Sequence, residues 1–253
     1  MIDIKSIYDR YLLEENDTKM MIRKGQSNGR FSASSAGLCA KKLWYQKNKI
    51  SPMTPNPESL RVMKLGTIVG YDFDKAFDDK EVEIDGVEYY VYKEKYVYDE
   101  EYNIGGSFDL LLVNKDTMAG HLFDYKTCNS WKWKMMFGQL KNRDNNPSNN
   151  YEFQLGTYAL ILDRQYTNGL KSICNSVESM TLVYYNKDKS TIRQKEVHMD
   201  YVEFARKYWE KATFIANKDQ EPTNNEMVPY YQWECGKYCS YLPYCNSIYK
   251  KEK

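Results

Sequence analysis

Net charge is the first thing missing from this chain, since 36 Lys and Arg stand against 35 Asp and Glu. A global positive field is excluded as the means of gripping a polyanion, so any contact with nucleic acid must come from a local patch. Long apolar runs are missing as well. No stretch reaches the roughly 18 residues that would read as a membrane span, and the opening MIDIKSIYDRYLLEENDTK lacks the basic and then apolar regions of a secretory leader. The expectation is a cytoplasmic protein, in the host cytoplasm if the chain is viral. Cysteine is sparse, at 6 in 253 residues. In a reducing compartment such thiols serve metal or cluster ligation more than disulfides. No internal repeat is found. Apolar residues at 42% and aromatics at 15% are enough for a proper core, in one domain or one domain with an appendage.

Residues 1–30 read as a charged helical arm. The Ser-rich entry Phe31-Ser-Ala-Ser-Ser-Ala is expected to cap a short helix from Cys39 to Gln46, which the Pro-rich residues 51–58 then break. Residues 60–77 carry a helical apolar period with Gly66 and Gly70 inside it. Over residues 81–113 the period becomes that of strands, with Asp85-Gly86 as a hairpin signal, and HLFDYKT continues a meander. Residues 131–140 and 151–162 read as helices on either side of a polar loop at 141–150. SMTLVYYN and STIRQKEVHM form another hairpin, and residues 201–217 a last amphipathic helix before an irregular tail.

The sharpest chemical signal is Gly106-Ser-Phe-Asp109 on one strand and Phe123-Asp124-Tyr125-Lys126 on the next. Strand side chains alternate, so Asp124 and Lys126 share a face, and Asp109 can meet them from the neighbouring strand. Two carboxylates beside an ammonium suit Mg²⁺ or Mn²⁺, which activates water toward a phosphate, while the lysine orients that water or offsets developing charge. The plainer alternative is an exposed ion pair on a solvated face. Against it stands the apolar setting, with Leu110, Leu111, Leu112 and Val113 after Asp109 and Leu122 and Phe123 before Asp124.

GGSFDLLL followed by FDYKT resembles the second and third motifs of the PD-(D/E)XK nuclease superfamily, and Gln154-x-x-x-Tyr158 resembles the QxxxY motif of its RecB-like branch. The resemblance runs from Cys39 to Cys245. It implies an α/β, restriction-endonuclease-like core with a central mixed sheet flanked by helices. It also implies a Mg²⁺- or Mn²⁺-dependent deoxyribonuclease, an exonuclease on single-stranded DNA or DNA ends, serving recombination, repair or phage DNA metabolism. Catalysis is expected from Asp109, Asp124, Lys126, Gln154 and Tyr158, with the metal at Asp109, Asp124 and Tyr125. A structure-specific endonuclease, or a DNA-binding or complex-assembly module that keeps the fold without catalysis, remains the alternative. One departure is plain: where the family carries a metal-binding His four residues after a Gly, this chain has Gly70, with Asp72 and Asp74 nearby as possible oxygen donors.

Cys235, Cys239 and Cys245 are compact enough to surround one centre, with Cys39 as a candidate fourth ligand, and four thiolates suit zinc or an iron-sulfur cluster. One early and three late cysteines are similar to the [4Fe-4S] nucleases of the AddB subunit and of CRISPR adaptation. That likeness implies a structural staple formed by the terminal segments, with Zn²⁺ as the alternative. The expected division is 1–60 as an N-terminal helical segment, 61–217 as nuclease core and 218–253 as the cysteine-rich segment. Cys128 and Cys174 read as ordinary buried thiols, His121 and His198 as strand residues. Trp131-Lys-Trp133-Lys134 interleaves aromatic and basic groups, fitting either single-strand contact or core tryptophans beside solvated lysines. Lys41, Lys42, Lys141, Arg143, Lys187, Lys189 and Arg193 are further candidates for local positive potential.

Overall fold

The computed structural model describes residues 2–26, 29–77, 80–139, 149–170, 172–223 and 234–245. Six helices and seven strands are used below: α1 (Ile4–Gln26), β1 (Phe31–Ser32), α2 (Lys41–Lys47), α3 (Pro57–Lys75), β2 (Glu81–Ile84), β3 (Val87–Asp99), β4 (Ile104–Asn114), β5 (Ala119–Cys128), α4 (Ser130–Met136), α5 (Asn150–Thr167), β6 (Ser176–Asn186), β7 (Thr191–Val197) and α6 (Asp200–Ala216).

The strands form one mixed sheet ordered β2-β3-β4-β5-β6-β7, with β1 on the far part of β4. The meander β2 to β5 is antiparallel because each connection is a tight turn. Asp85 and Gly86 both adopt positive φ, as the expected hairpin turn requires. Asn114 closes the β4–β5 turn through its side chain, which accepts from the Asp116 and Thr117 amides. β6 runs parallel to β5, so the chain must cross the sheet, and α4 and α5 make that crossing.

The main core lies between the sheet and α5 with α6. Leu111, Leu122, Leu182 and Tyr184 from the sheet meet Leu155, Ala159 and Trp209 from the helices. Phe31, Ala33, Ala36 and Leu43 join the same core, and this explains a difference from expectation. The Ser-rich entry does not cap α2, whose N-cap is Ala40 without a side-chain bond. It forms β1 and a short 3-10 turn instead, because burying Phe31, Ala33 and Ala36 outweighs a cap. α3 begins where Asn56 accepts from the Ser59 amide and Pro57 presets the first turn. It lies along β5, where a Cβ at Gly66 would meet Thr127, and Phe73 stacks on Tyr125 at 4.8 Å. α1 rests on α3 through Arg61–Asp9 and Lys64–Glu15 ion pairs. Among the described residues no helix is long and apolar enough to cross a membrane.

Candidate active site

β4 and β5 pair from Val113–Gly120 to Leu110–Phe123 and no further. The next residues along the two strands are Asp109 and Asp124, so the carboxylates stand where the ladder stops. Asp109 Oδ2 replaces the missing carbonyl and accepts from the Tyr125 amide at 2.6 Å. This splay is what the buried runs on either side produce. Leu110 to Val113 and Leu122 hold the strands together on one side, and the acids end the pairing.

Asp124 is 1% exposed. Lys126 Nζ lies 2.6 Å from its Oδ2, so the buried carboxylate is held in a close ion pair. Gln154, on α5, spans the pair: its Nε2 donates to Asp124 Oδ1 at 3.1 Å and its Oε1 accepts from Lys126 Nζ at 3.2 Å. Burial, reinforced by Asp109 and Glu94 against the pull of Lys126, pushes the Asp124 carboxyl up to about 7. Burial also raises Asp109, against the opposing Lys126 charge and Tyr125 amide. Burial alone would depress Lys126, but Asp124 and Asp109 outweigh it and keep the ammonium firmly protonated.

Tyr158 is placed differently from Gln154. Its hydroxyl donates to the Ser107 carbonyl at 2.7 Å, and a Cβ at Gly106 would crowd that hydroxyl. It thus steadies β4 two residues before Asp109. The Tyr125 ring lies toward α3, on the face away from Asp124, with a buried hydroxyl that has no hydrogen-bond partner. Its main chain, bonded to Asp109, is the part that adjoins the carboxylates.

Two acids beside Asp109 extend the set. Glu94 sits on β3 between Lys93, paired with Leu110, and Lys95, paired with Phe108, which puts it across from Asp109. Its φ of 47° is left-handed, a conformation rare for a residue inside a strand. Desolvation, then the Asp109 and Asp74 charges, lifts its carboxyl to about 7 although it remains open to solvent. Asp74, near the end of α3, is raised by burial and by Asp109, and its buried Oδ1 has no hydrogen-bond donor. Of the two acids near Gly70, it is Asp74 that approaches the site, while Asp72 is exposed. Sequence reading missed Glu94 because VYKEKYVY is an ordinary alternating charged strand, and only register places one of its acids opposite Asp109.

As placed, no three His, Cys, Asp or Glu side chains among the described residues close into a metal-holding group. The donor chemistry nonetheless fits a hard divalent cation. Asp74, Glu94, Asp109 and Asp124 crowd one neighbourhood with Lys126 as the ammonium among them, and the buried Asp74 Oδ1 has no hydrogen-bond partner.

The Trp131–Lys134 run divides: Trp131 is half exposed, whereas Trp133 packs on the core against Phe137 at 4.8 Å. Lys41 and Lys42, candidates for DNA contact, are instead held by Glu221 and Glu234, each at 2.6 Å. Arg193 lies over the Phe137 ring. Lys141 and Arg143 lie outside the described residues. His121 on β5 bonds Ser179, and His198 follows β7 at the surface beside Asp200. Cys128 and Cys174 are buried in the main core.

The other four cysteines gather in one corner. Cys239 and Cys245 pack with Trp44, Tyr45 and Tyr241, while Cys39 lies within electrostatic reach of Cys235 and Cys239. Burial, then the Glu234 charge, raises the Cys39 thiol to about 12. The donor set suits a thiophilic metal or cluster, although here too the sulfurs do not close into a metal-holding group as placed.

Asp124, buried, and Asp109, half-buried, thus stand with the Lys126 ammonium at the splayed end of a mixed sheet. A profile of the PD-(D/E)XK nuclease superfamily matches residues 44–246, and the chain belongs to that superfamily. Among solved structures, "Crystal structure of SSO0001" is similar in fold, at 15% identity and a TM-score of 0.51 over 96% of each chain. No curated protein matches.

Proposed function

We propose that this chain is a metal-dependent DNA nuclease whose centre is Asp109, Asp124 and Lys126, and that it acts as an exonuclease on single strands or DNA ends. The observation that carries the catalytic reading is the Asp124–Lys126 contact at 2.6 Å, bridged by Gln154 and buried beside Asp109. A buried pair of this kind contributes little net stability against its desolvation cost, so its presence points to chemistry. Asp109 and Asp124, with Glu94 and Asp74 close by, would hold Mg²⁺ or Mn²⁺. When bound, the cation supplies Lewis acidity and charge neutralisation at the phosphate.

The remaining work falls to the chain's own groups. Lys126, kept protonated by the two aspartates, donates toward the attacking water or the phosphate oxygen that gains charge. Gln154 holds Lys126 and Asp124 in one geometry, and Tyr158 holds the strand that carries Asp109. The exonuclease reading rests on the likeness of motif order to the RecB-like branch, as does a [4Fe-4S] or Zn²⁺ staple at Cys39, Cys235, Cys239 and Cys245. Linear and circular single-stranded DNA, each with Mn²⁺ or with EDTA, test it. Loss of the linear substrate alone, abolished by EDTA, is expected. Equal cutting of circles replaces the exonuclease with an endonuclease, and binding without cleavage removes the catalytic reading.

A further inference from the structure

Two ammonium groups meet at one aromatic ring beside the carboxylates. Tyr151, in the first turn of α5, has Lys126 Nζ 4.7 Å from its ring centroid and Lys132 Nζ, from α4, 4.4 Å from it. Lys132 Nζ also donates to the Tyr151 hydroxyl at 3.1 Å. The two charges are not balanced alike. Lys126 has Asp124 at 2.6 Å. Lys132 is half-buried, and its polar partner is the neutral phenol; it forms no ion pair among the described residues. Cations brought together in a partly desolvated place repel unless an anion joins them, and a π-face compensates only part of that.

We propose that Lys132 and Tyr151 form a seat for a backbone phosphate of the DNA strand, adjacent to the phosphate being cleaved, an inference that rests on the nuclease reading above. Lys132 is the substrate-contacting residue. A phosphodiester oxygen accepts from its ammonium, and the Tyr151 hydroxyl, which accepts from Lys132 through a lone pair, keeps its own hydrogen to donate to a second oxygen. Tyr151 is a positioning residue for Lys126 through its ring. A phosphate suits this place because the neighbouring carboxylate row repels anions, so the strand needs a cationic hold that the row does not provide. Trp131, exposed and adjacent to Lys132, offers a face to a base of the same strand.

Binding of a fluorescent oligothymidylate to the full chain, in Ca²⁺ and across a salt series, tests the seat. Lys132→Ala is expected to weaken binding about tenfold and to lower the slope of log affinity against log salt by about one. Lys132→Arg should recover most of both, and melting temperatures should not move. In Mn²⁺, Lys132→Ala and Tyr151→Phe should raise KM at nearly constant kcat, whereas Tyr151→Leu, which strips the ring from Lys126, should lower kcat. Equal affinity and equal slope for wild type and a folded Lys132→Ala overturn the proposal. It also falls if inorganic phosphate protects wild type but not Lys132→Ala against thermal unfolding while the oligonucleotide fails to distinguish them, since the seat would then take free phosphate. A wild type that binds with a Lys132-dependent slope yet never cleaves refutes the nuclease reading and leaves the seat standing.

Discussion

Asp124 is pulled two ways: hydration loss and its acidic neighbours favour the neutral form, while Lys126 favours the charge. Without a cation, the row of Glu94, Asp109 and Asp124 works against folding, as functional sites commonly do. Asp124→Asn is therefore predicted to raise the melting temperature of chelated protein by about 3 °C, the shift that one kcal/mol makes in a chain of this size. Mg²⁺ or Mn²⁺ should raise the melting temperature of wild type and leave that of Asp124→Asn nearly unchanged. Glu94→Gln should also stabilise the chelated protein and should reduce the gain from metal. Differential scanning fluorimetry with and without EDTA measures all three, and a wild type indifferent to both cations would contradict the metal assignment. That Asp109, Asp124 and Lys126 come together was legible from strand alternation and from the motif order that runs on to Gln154 and Tyr158, since the spacing by itself fits an exposed ion pair as well. Glu94 and Asp74 were not legible, because nothing local marks an acid that a neighbouring strand or a helix end brings into place.

The element that fixes the site is α5. Its Gln154 touches both Asp124 and Lys126, so its height above the sheet sets their geometry. That height depends on Gly156, where a Cβ would fall on the Tyr201 carbonyl of α6. Gly156→Ala must push the helices apart. A loss of about 1–3 kcal/mol in urea unfolding is expected, together with a fall in kcat, since Gln154 lies only half a turn away. Trp209, fully buried and donating to Thr157 Oγ1 at 2.9 Å, locks the same pair of helices. Trp209→Ala should cost about 3–5 kcal/mol. Helix periods and the Asp-Gly turn were readable because burial and φ preference are local. The fate of Ser32 to Ser35 was not, since a cap competes there with the distant core that takes Phe31 and Ala33.

At the scale of the whole molecule, residues 234–245 come back to α2 and close the chain on itself. Glu234, 1% exposed, accepts from the Cys39 amide and from Lys42, Tyr45 stacks on Tyr241 at 5.1 Å, and the Met53 amide donates to the Ser240 carbonyl. The grouping of an early cysteine with three late ones is an expectation that the resemblance supplied, whereas nothing in the sequence marked the buried Glu234 beside Cys39. If the corner holds a centre, purified protein should carry about four iron atoms or one zinc per chain by elemental analysis. Cys235→Ser should lose the metal and melt lower, and a metal-free wild type that melts like Cys235→Ser would remove the staple. The joint arrangement of sheet, α5 and carboxylates makes one claim above the rest, that Asp124 and Lys126 perform hydrolysis. Cleavage of end-labelled linear single-stranded DNA in Mn²⁺ by wild type, Asp124→Ala and Lys126→Ala, each shown to be folded, tests it most directly. Turnover by wild type with a loss of about 10²-fold or more in each variant is predicted, and equal turnover in all three would contradict it.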